Sequence, residues 1–410
     1  MNFSPFGVYA VMIAINEVTK VIHVNVKKMR TTKIILTLLW VMTAATALAQ
    51  KAVPVQNLVR EDHDSAWYAQ QVKAWEKEVK RDPKSETAWA NLFSAARYVC
   101  MSTGEDYSPL VGLLKRMSRR IPGSFTFHYC RAQSWTAPEK YREDMEKCLE
   151  MEPENVEAYD TYIAYLWMTG QFDRMYDVGQ RYFESGWFSS NLLQYAYNQL
   201  AGLPDGAIFI GNGDSELIPK VVLQGGKGVH RDKVIVPLSF LNSPDYVGAL
   251  CARLDIKAPV LPERPADWNA AADSVVQYLI EKSGRPVYFA PTIGTERLKA
   301  FGDHLYSEGL VLRYSTHAYD NLAVMKRNVE QRYLLDYLRM NFAPQKGWSS
   351  AGHLQLNYVV ALQPLLRFYR ESADTVRLNW LTDLLSKAID SASCDEKRKE
   401  QYRQLLNEEQ

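Results

Sequence analysis

The sequence predicts an α plus α/β protein: helical hairpins, then a small, mostly parallel α/β sheet, then a C-terminal helical layer. Three observations carry this. Between Asp62 and Leu203, apolar residues recur at helical spacing, with turn residues interrupting roughly every 15 to 20 positions. From Gly206 to Pro244 the chain reads strand, glycine-rich turn, helix, turn and second strand, the half-repeat of an α/β sheet. After Tyr319 the spacing is helical again to the end. The chain therefore divides into a leader (1–49), helical repeats (62–202), an α/β module (203–318) and a helical region (319–410).

The leader reads as a secretory signal. Arg30 and Lys33 form a basic start, Ile34 to Val41 an apolar run, and Ala47-Leu48-Ala49 a small-residue site with cleavage expected between Ala49 and Gln50. Met29 is the expected initiator. The alternative, a membrane anchor, needs roughly 20 apolar residues, more than this run supplies. Export makes the periplasm the expected compartment, with no membrane span after cleavage. Removing residues 1–49 takes away five basic residues and one acidic one, leaving 43 against 46 and a net charge of about −3. No basic cluster interleaved with aromatics occurs, so nucleic acid is not an expected partner. Five scattered cysteines make no disulfide framework. Cys130 and Cys148 could pair across one hairpin, and buried free thiols are the competing reading.

Within the helical region one phrase repeats. Asp82-Pro83 is followed six residues after the proline by Trp89, and Glu152-Pro153 likewise by Tyr159, 70 residues further on. Pro122 falls between, giving steps of 39 and 31 residues. The third unit adds Tyr162, Gly170 at a turn and Phe172 opening the next helix. This resembles a divergent tetratricopeptide-like array, whose period is about 34 residues, of three hairpins plus a helix near 191–200. The aromatics Tyr159, Tyr162, Tyr165 and Trp167 are a candidate partner-binding surface; the competing reading is that they fill the gaps between helices.

The α/β module continues the pattern. Ala207 to Ile210 and Lys233 to Leu238 are strands, with a helix over Leu217–Leu223 whose first turn accommodates Pro219. Ala272, Val275, Val276, Leu279 and Ile280 make one apolar helix face. Val287 to Ala290 is a third strand. A helix over 296–307 is expected to end at Gly309, and Leu310 to Tyr314 to form the fourth strand. Such alternation predicts a mostly parallel, Rossmann-like sheet with right-handed crossovers. Beyond it, 321–340 reads as one long helix, followed by helices over 354–369, 376–388 and 396–406.

Ligands of a parallel sheet sit beyond the strands' carboxyl ends. Those ends supply Gly211, Asn212, Gly213 and Asp214, then Ser239 and Asn242, then Thr292. Asp214 could bind a hydroxyl; its alternative role is a helix N-cap. The dinucleotide fingerprint fails because Glu216 stands where its third glycine belongs, and the glycines around Lys227 lack the rest of a phosphate loop. No nucleophile elbow, zinc-protease motif or clustered Cys/His spacing occurs. Neither cofactor, metal nor catalytic residue is expected.

The phrases Leu203 to Asp214, Val234 to Asn242, Arg285 to Ala290, Glu308-Gly309-Leu310 and Asn357-Tyr358 resemble, in that order, the soluble C-terminal region of the DUF2723 family, membrane proteins of Bacteroidetes similar to protein O-mannosyltransferases. The chain lacks the multi-span part that carries catalysis in such transferases. The resemblance implies an extracytoplasmic module and argues against transferase activity. The functional expectation is a non-enzymatic periplasmic scaffold binding a protein or peptide. The alternative is a module that binds a glycan or nucleotide sugar and associates with a membrane glycosyltransferase.

Overall fold

The structure, a computed structural model, describes residues 51–407 apart from 59, 105, 263–264 and 341–348. The signal peptide, the Met29 start and the Ala49/Gln50 site fall outside the described residues.

Eight helices build the first part: α1 (Ser65–Arg81), α2 (Glu86–Thr103), α3 (Ser108–Arg120), α4 (Phe125–Ser134), α5 (Tyr141–Met151), α6 (Tyr159–Met168), α7 (Phe172–Glu184) and α8 (Ser190–Ala201). Their starts follow local chemistry. The side chains of Asp64, Ser85, Ser124 and Ser189 each accept a bond from a first-turn amide, satisfying a donor the helix cannot. The repeated phrase folds the same way twice. Trp89 donates its indole N–H to the carbonyl of Pro83 at 3.0 Å, and the Tyr159 hydroxyl donates to Glu154 at 3.1 Å. Each aromatic thus folds back onto the loop before its own helix. α1 packs on α2, α4 on α5 and α6 on α7, a helical-repeat-like arrangement.

The sheet has five strands: β1 (Ile208–Gly211), β2 (Val234–Pro237), β3 (Val287–Phe289), β4 (Leu305–Ser307) and β5 (Leu312–Tyr314), in the order β2-β1-β3-β5-β4. β1 runs parallel to β2, with Gly211 opposite Pro237, and parallel to β3, with Ile210 opposite Phe289. β5 is antiparallel to β3 and β4 antiparallel to β5. The sheet is therefore mixed, and the expectation of a mostly parallel one is corrected. The expected helix over 296–307 is the cause. Only Thr295–Leu298 is α-helical (α12 below), and Gly302 at φ 56° leaves helical geometry within the following turn. Gly309, at φ 102°, turns a tight hairpin closed by the Glu308 amide on the Val311 carbonyl at 3.0 Å.

Between the strands lie α9 (Asp214–Gly226), α10 (Pro244–Arg253), α11 (Trp268–Lys282) and α12 (Thr295–Leu298). α9 starts earlier than expected, so Pro219 lies inside it and denies the Ser215 carbonyl its amide partner. α11 buries Ala272, Val275, Val276 and Leu279, the predicted face. α9 lies backbone to backbone on α7. A Cβ on Gly225 would sit 2.4 Å from the Tyr176 carbonyl oxygen, and one on Gly226 2.3 Å from the Phe183 Cβ. One apolar core runs from Ala132 through Leu166, Val221 and Phe289 to Val311, joining hairpins and sheet.

The expected long helix over 321–340 is also corrected. α13 (Asn321–Arg327) passes into a wide π turn at Asn328–Arg332, the chain extends, and α14 spans only Asp336–Arg339. The side-chain amide of Asn198 explains the break. It accepts from the Leu334 N–H at 2.7 Å and donates to the Leu334 carbonyl at 2.8 Å, substituting for a helical hydrogen-bond pair. α15 (Ser349–Ala361), α16 (Gln363–Glu371), α17 (Thr375–Asp390) and α18 (Glu396–Asn407) complete a layer with its own apolar core around Leu362, Leu365, Leu381 and Leu385. Among the described residues, no helix is long and apolar enough to cross a membrane.

Candidate functional site

A groove of about 580 Å³ runs along the hairpins. Thr87, Asn91, Ser94 and Tyr98 of α2 line it, then Thr126, Tyr129 and Gln133 of α4, then Asp160 of α6, with Tyr182 and Trp187 at the far end. Steps of three and four residues place each set on one helix face; α2 packs beside α4, and side-chain hydrogen bonds tie α4 to α6. The Tyr129 hydroxyl and Thr161 Oγ1 are 3.0 Å apart, and Gln133 donates to the same oxygen at 3.1 Å. Burial pushes the Asp160 carboxyl up to about 7, opposed by a hydrogen bond from Tyr182 and by the charge of Arg60, and reinforced by Asp214.

A segment of the chain itself, residues 52–58 with Arg60, runs along this groove as part of its lining and ends in a turn, the Arg60 amide donating to the Asn57 carbonyl at 2.8 Å. The Val53 N–H donates to Gln71 Oε1 at 2.9 Å, and the Val53 carbonyl accepts from the Trp75 indole at 2.9 Å. The Val55 N–H donates to Asn91 Oδ1 at 2.7 Å, and Tyr98 hydrogen-bonds the Leu58 backbone. The Arg60 guanidinium lies 3.2 Å from the centre of the Trp187 ring.

The residues expected to bind a partner stand elsewhere. Tyr159, Tyr162, Tyr165 and Trp167 are exposed by 3% or less and belong to the core. Their hydroxyls serve the fold: Tyr162 donates to the Cys148 carbonyl at 2.9 Å and Tyr165 to Glu146 at 2.8 Å. This part of the sequence reading is corrected, because helical spacing pointed these rings between the hairpins rather than into the groove.

The candidates of the sheet do gather. Because β1, β2 and β3 are parallel, Gly211 to Asp214, Ser239, Asn242 and Thr292 all follow the same edge, and the strand order reverses at β1. Gly211 is buried, and a Cβ there would meet Leu217 at 2.4 Å, so its role is close packing. Gly213, at φ 89°, is the N-cap position, and Asp214 is the first helical residue without a side-chain cap bond, which corrects the N-cap alternative. Asp214 is exposed, yet the protein around it pushes its carboxyl up by desolvation, while Arg97 pulls it down. Thr292 is exposed, and its hydroxyl donates to Glu216 at 2.5 Å. Glu216 also accepts from Gln199 at 2.8 Å, and the buried Lys220 donates to Gln199 at 2.6 Å. Burial lowers the Lys220 ammonium to about 8, with Glu216 opposing. The carboxylate in place of the third glycine thus holds an internal network.

Cys130 and Cys148 are both buried free thiols, with burial raising both and carrying Cys148 to about 12. Among the described residues, no group of three or more His, Cys, Asp or Glu side chains could hold a metal ion. Compared with known proteins, the chain matches no family model and no curated protein.

Sequence reasoning missed Asn91, Tyr98, Tyr129, Asp160 and Arg60. Tyr182 and Trp187 follow the aromatics named above in sequence, but nothing in their spacing separates them from the core rings. The available signal was the largely apolar segment ending in Arg60 directly after the leader.

Proposed function

We propose that this chain is an exported, non-enzymatic interaction protein whose groove holds an extended segment of a protein partner. One observation carries the reading: residues 54–57 and Arg60 already line the groove, with backbone groups of the segment bonded by the side chains of Asn91 and Tyr98. Side-chain amides that face a groove and bond backbone groups will accept main chain from any source. The tetratricopeptide-like repeat phrase and the secretory leader support the same reading. Its test is binding of fluorescent extended peptides to the whole chain. Saturable binding that Asn91→Ala and Trp187→Ala each weaken about tenfold supports it; binding indifferent to both variants refutes it. For export, mass spectrometry of the extracytoplasmic protein is expected to find Gln50 as the first residue.

A second reading, a glycan-binding module associated with a glycosyltransferase of the DUF2723 kind, is favoured by one observation. Asp214 lies within electrostatic reach of Tyr141, and the exposed Trp135 stacks on that tyrosine at 4.9 Å despite its own φ of 55°. An exposed aromatic platform beside a carboxylate suits a sugar. Asp214→Asn and Trp135→Ala would each weaken glycan binding without lowering stability. No binding to a broad glycan panel refutes it.

A further inference from the structure

Resting on the groove reading above, we infer that the partner segment presents an arginine to Trp187, and that residues 52–58 with Arg60 are a built-in occupant it must displace. The groove lining carries four carboxylates, Glu86, Glu152, Glu157 and Asp160, and one basic side chain among the described residues, Arg60. Arg60 belongs to the occupant. Without the segment, the groove is an acidic trough ending in an indole ring.

The contacts divide by type. Gln71, Trp75, Asn91 and Tyr98 touch the segment's backbone, so they select extended conformation and not sequence. Two side chains of the segment meet the groove: Asn57 donates to the Asp160 carboxyl at 3.4 Å, and the Arg60 guanidinium covers the Trp187 ring, donates to the Trp187 carbonyl at 3.5 Å, and sits in the field of Glu157 and Asp160. A planar, weakly hydrated cation stacks there as an ammonium cannot. The segment is also lightly anchored by apolar contact. Val53 and Pro54 are exposed, Ala52 and Val55 pack on the core beside Trp75, and Leu58 is half-buried. Directional bonds along a thin strap hold it in place and leave it displaceable. Tethering gives it an effective concentration on the order of millimolar, so a free segment succeeds only by outbinding it.

The test uses the whole chain and a fluorescent synthetic peptide of residues 51–60. The unaltered chain and Arg60→Glu are titrated with this peptide by anisotropy, and hydrogen exchange follows the Val53 and Val55 amides in both. The expected result is exchange at least tenfold faster in the variant and peptide binding at least tenfold tighter. A peptide carrying the same Arg60→Glu change should bind neither chain, and Arg60→Lys in the peptide should bind more weakly. Equal peptide binding by both chains, with the variant's segment released, overturns the built-in occupant while the groove reading stands. Peptide binding by neither chain, with the segment released, overturns both. Amides that stay protected in the variant overturn the role assigned to Arg60.

Discussion

Gly225→Ala tests the joint between hairpins and sheet. Within a helix this change ordinarily stabilises by about 0.5–1 kcal/mol, because glycine loses more backbone freedom on folding, and at Gly225, the penultimate residue of α9, that is the upper bound of the gain. Here the new methyl would lie 2.4 Å from the Tyr176 carbonyl oxygen, 2.8 Å from the Gln180 nitrogen and 3.0 Å from the Gly179 carbonyl carbon. All three are backbone atoms of α7, so no rotamer change relieves the clash. Restoring even 3.0 Å to the carbonyl oxygen requires the helices to part by about 0.6 Å along that contact. Overpacking of this kind costs about 1–3 kcal/mol, and against the propensity gain a net loss of about 1–2 kcal/mol is expected. Gly112→Ala is the control: it lies inside α3 with nothing within 4 Å of its built Cβ, so a gain of about 0.5–1 kcal/mol is expected. Urea unfolding followed by circular dichroism and tryptophan fluorescence reads both. If Gly225→Ala raises the midpoint as Gly112→Ala does, the backbone contact between α7 and α9 is wrong.

Three further outcomes follow. Asp160 has a folded value near 7, raised from 3.8 by burial. The folded state therefore holds a proton that the unfolded state has released, and stability falls as pH rises from about 4 through 7. Asp160→Asn should gain about 1–3 kcal/mol at pH 8 and almost nothing near pH 4; urea midpoints across pH check this. Asn198→Ala leaves the Leu334 N–H and the Tyr358 hydroxyl without their partner and the Leu334 carbonyl with Gln194 alone of its two amide donors. It should cost about 3 kcal/mol or more, with accelerated hydrogen exchange at Leu334. A thiol titration should find five free cysteines after denaturation, and native labelling confined to Cys394, the one not buried.

The parts of the fold that were legible are those where one physical signal dominates. β1, β2 and β3 are continuous apolar runs, as strands buried on both faces must be. α11 shows a clean apolar face, and Trp89 and Tyr159 mark their helix starts. β4 was illegible because Leu305–Ser307 is three residues long, too short for alternation to show. Gly309 misled for a related reason: positive φ serves a helix end and a hairpin turn equally. The break after Asn328 is set by Asn198, 130 positions earlier, and no local pattern reports it. At the sheet edge, topology gathers the candidates as the sequence implied. The groove was hidden because its lining mixes Thr87, Asn91, Tyr129 and Asp160, residue types with no periodic signature, and because its defining contacts come from a segment far away in sequence.

The clamp on α8 also sets an order for folding during synthesis. Gln199 donates to the Leu310 carbonyl at 3.1 Å, and Asn198 reaches Leu334 and Tyr358, 136 and 160 residues downstream. At roughly 5–20 residues per second, the ribosome delivers those partners about 8 to 30 seconds after α8 has emerged. During that interval the earlier hairpins can pair locally while the buried amides of α8 remain bonded only to water. Hairpin arrays ordinarily gain stability unit by unit. Here the last hairpin helix is completed by the far end of the chain, so the nascent protein passes through a stage with an open polar edge. Its most vulnerable moment to misassociation comes after the sheet is translated and before the final helices close over α8.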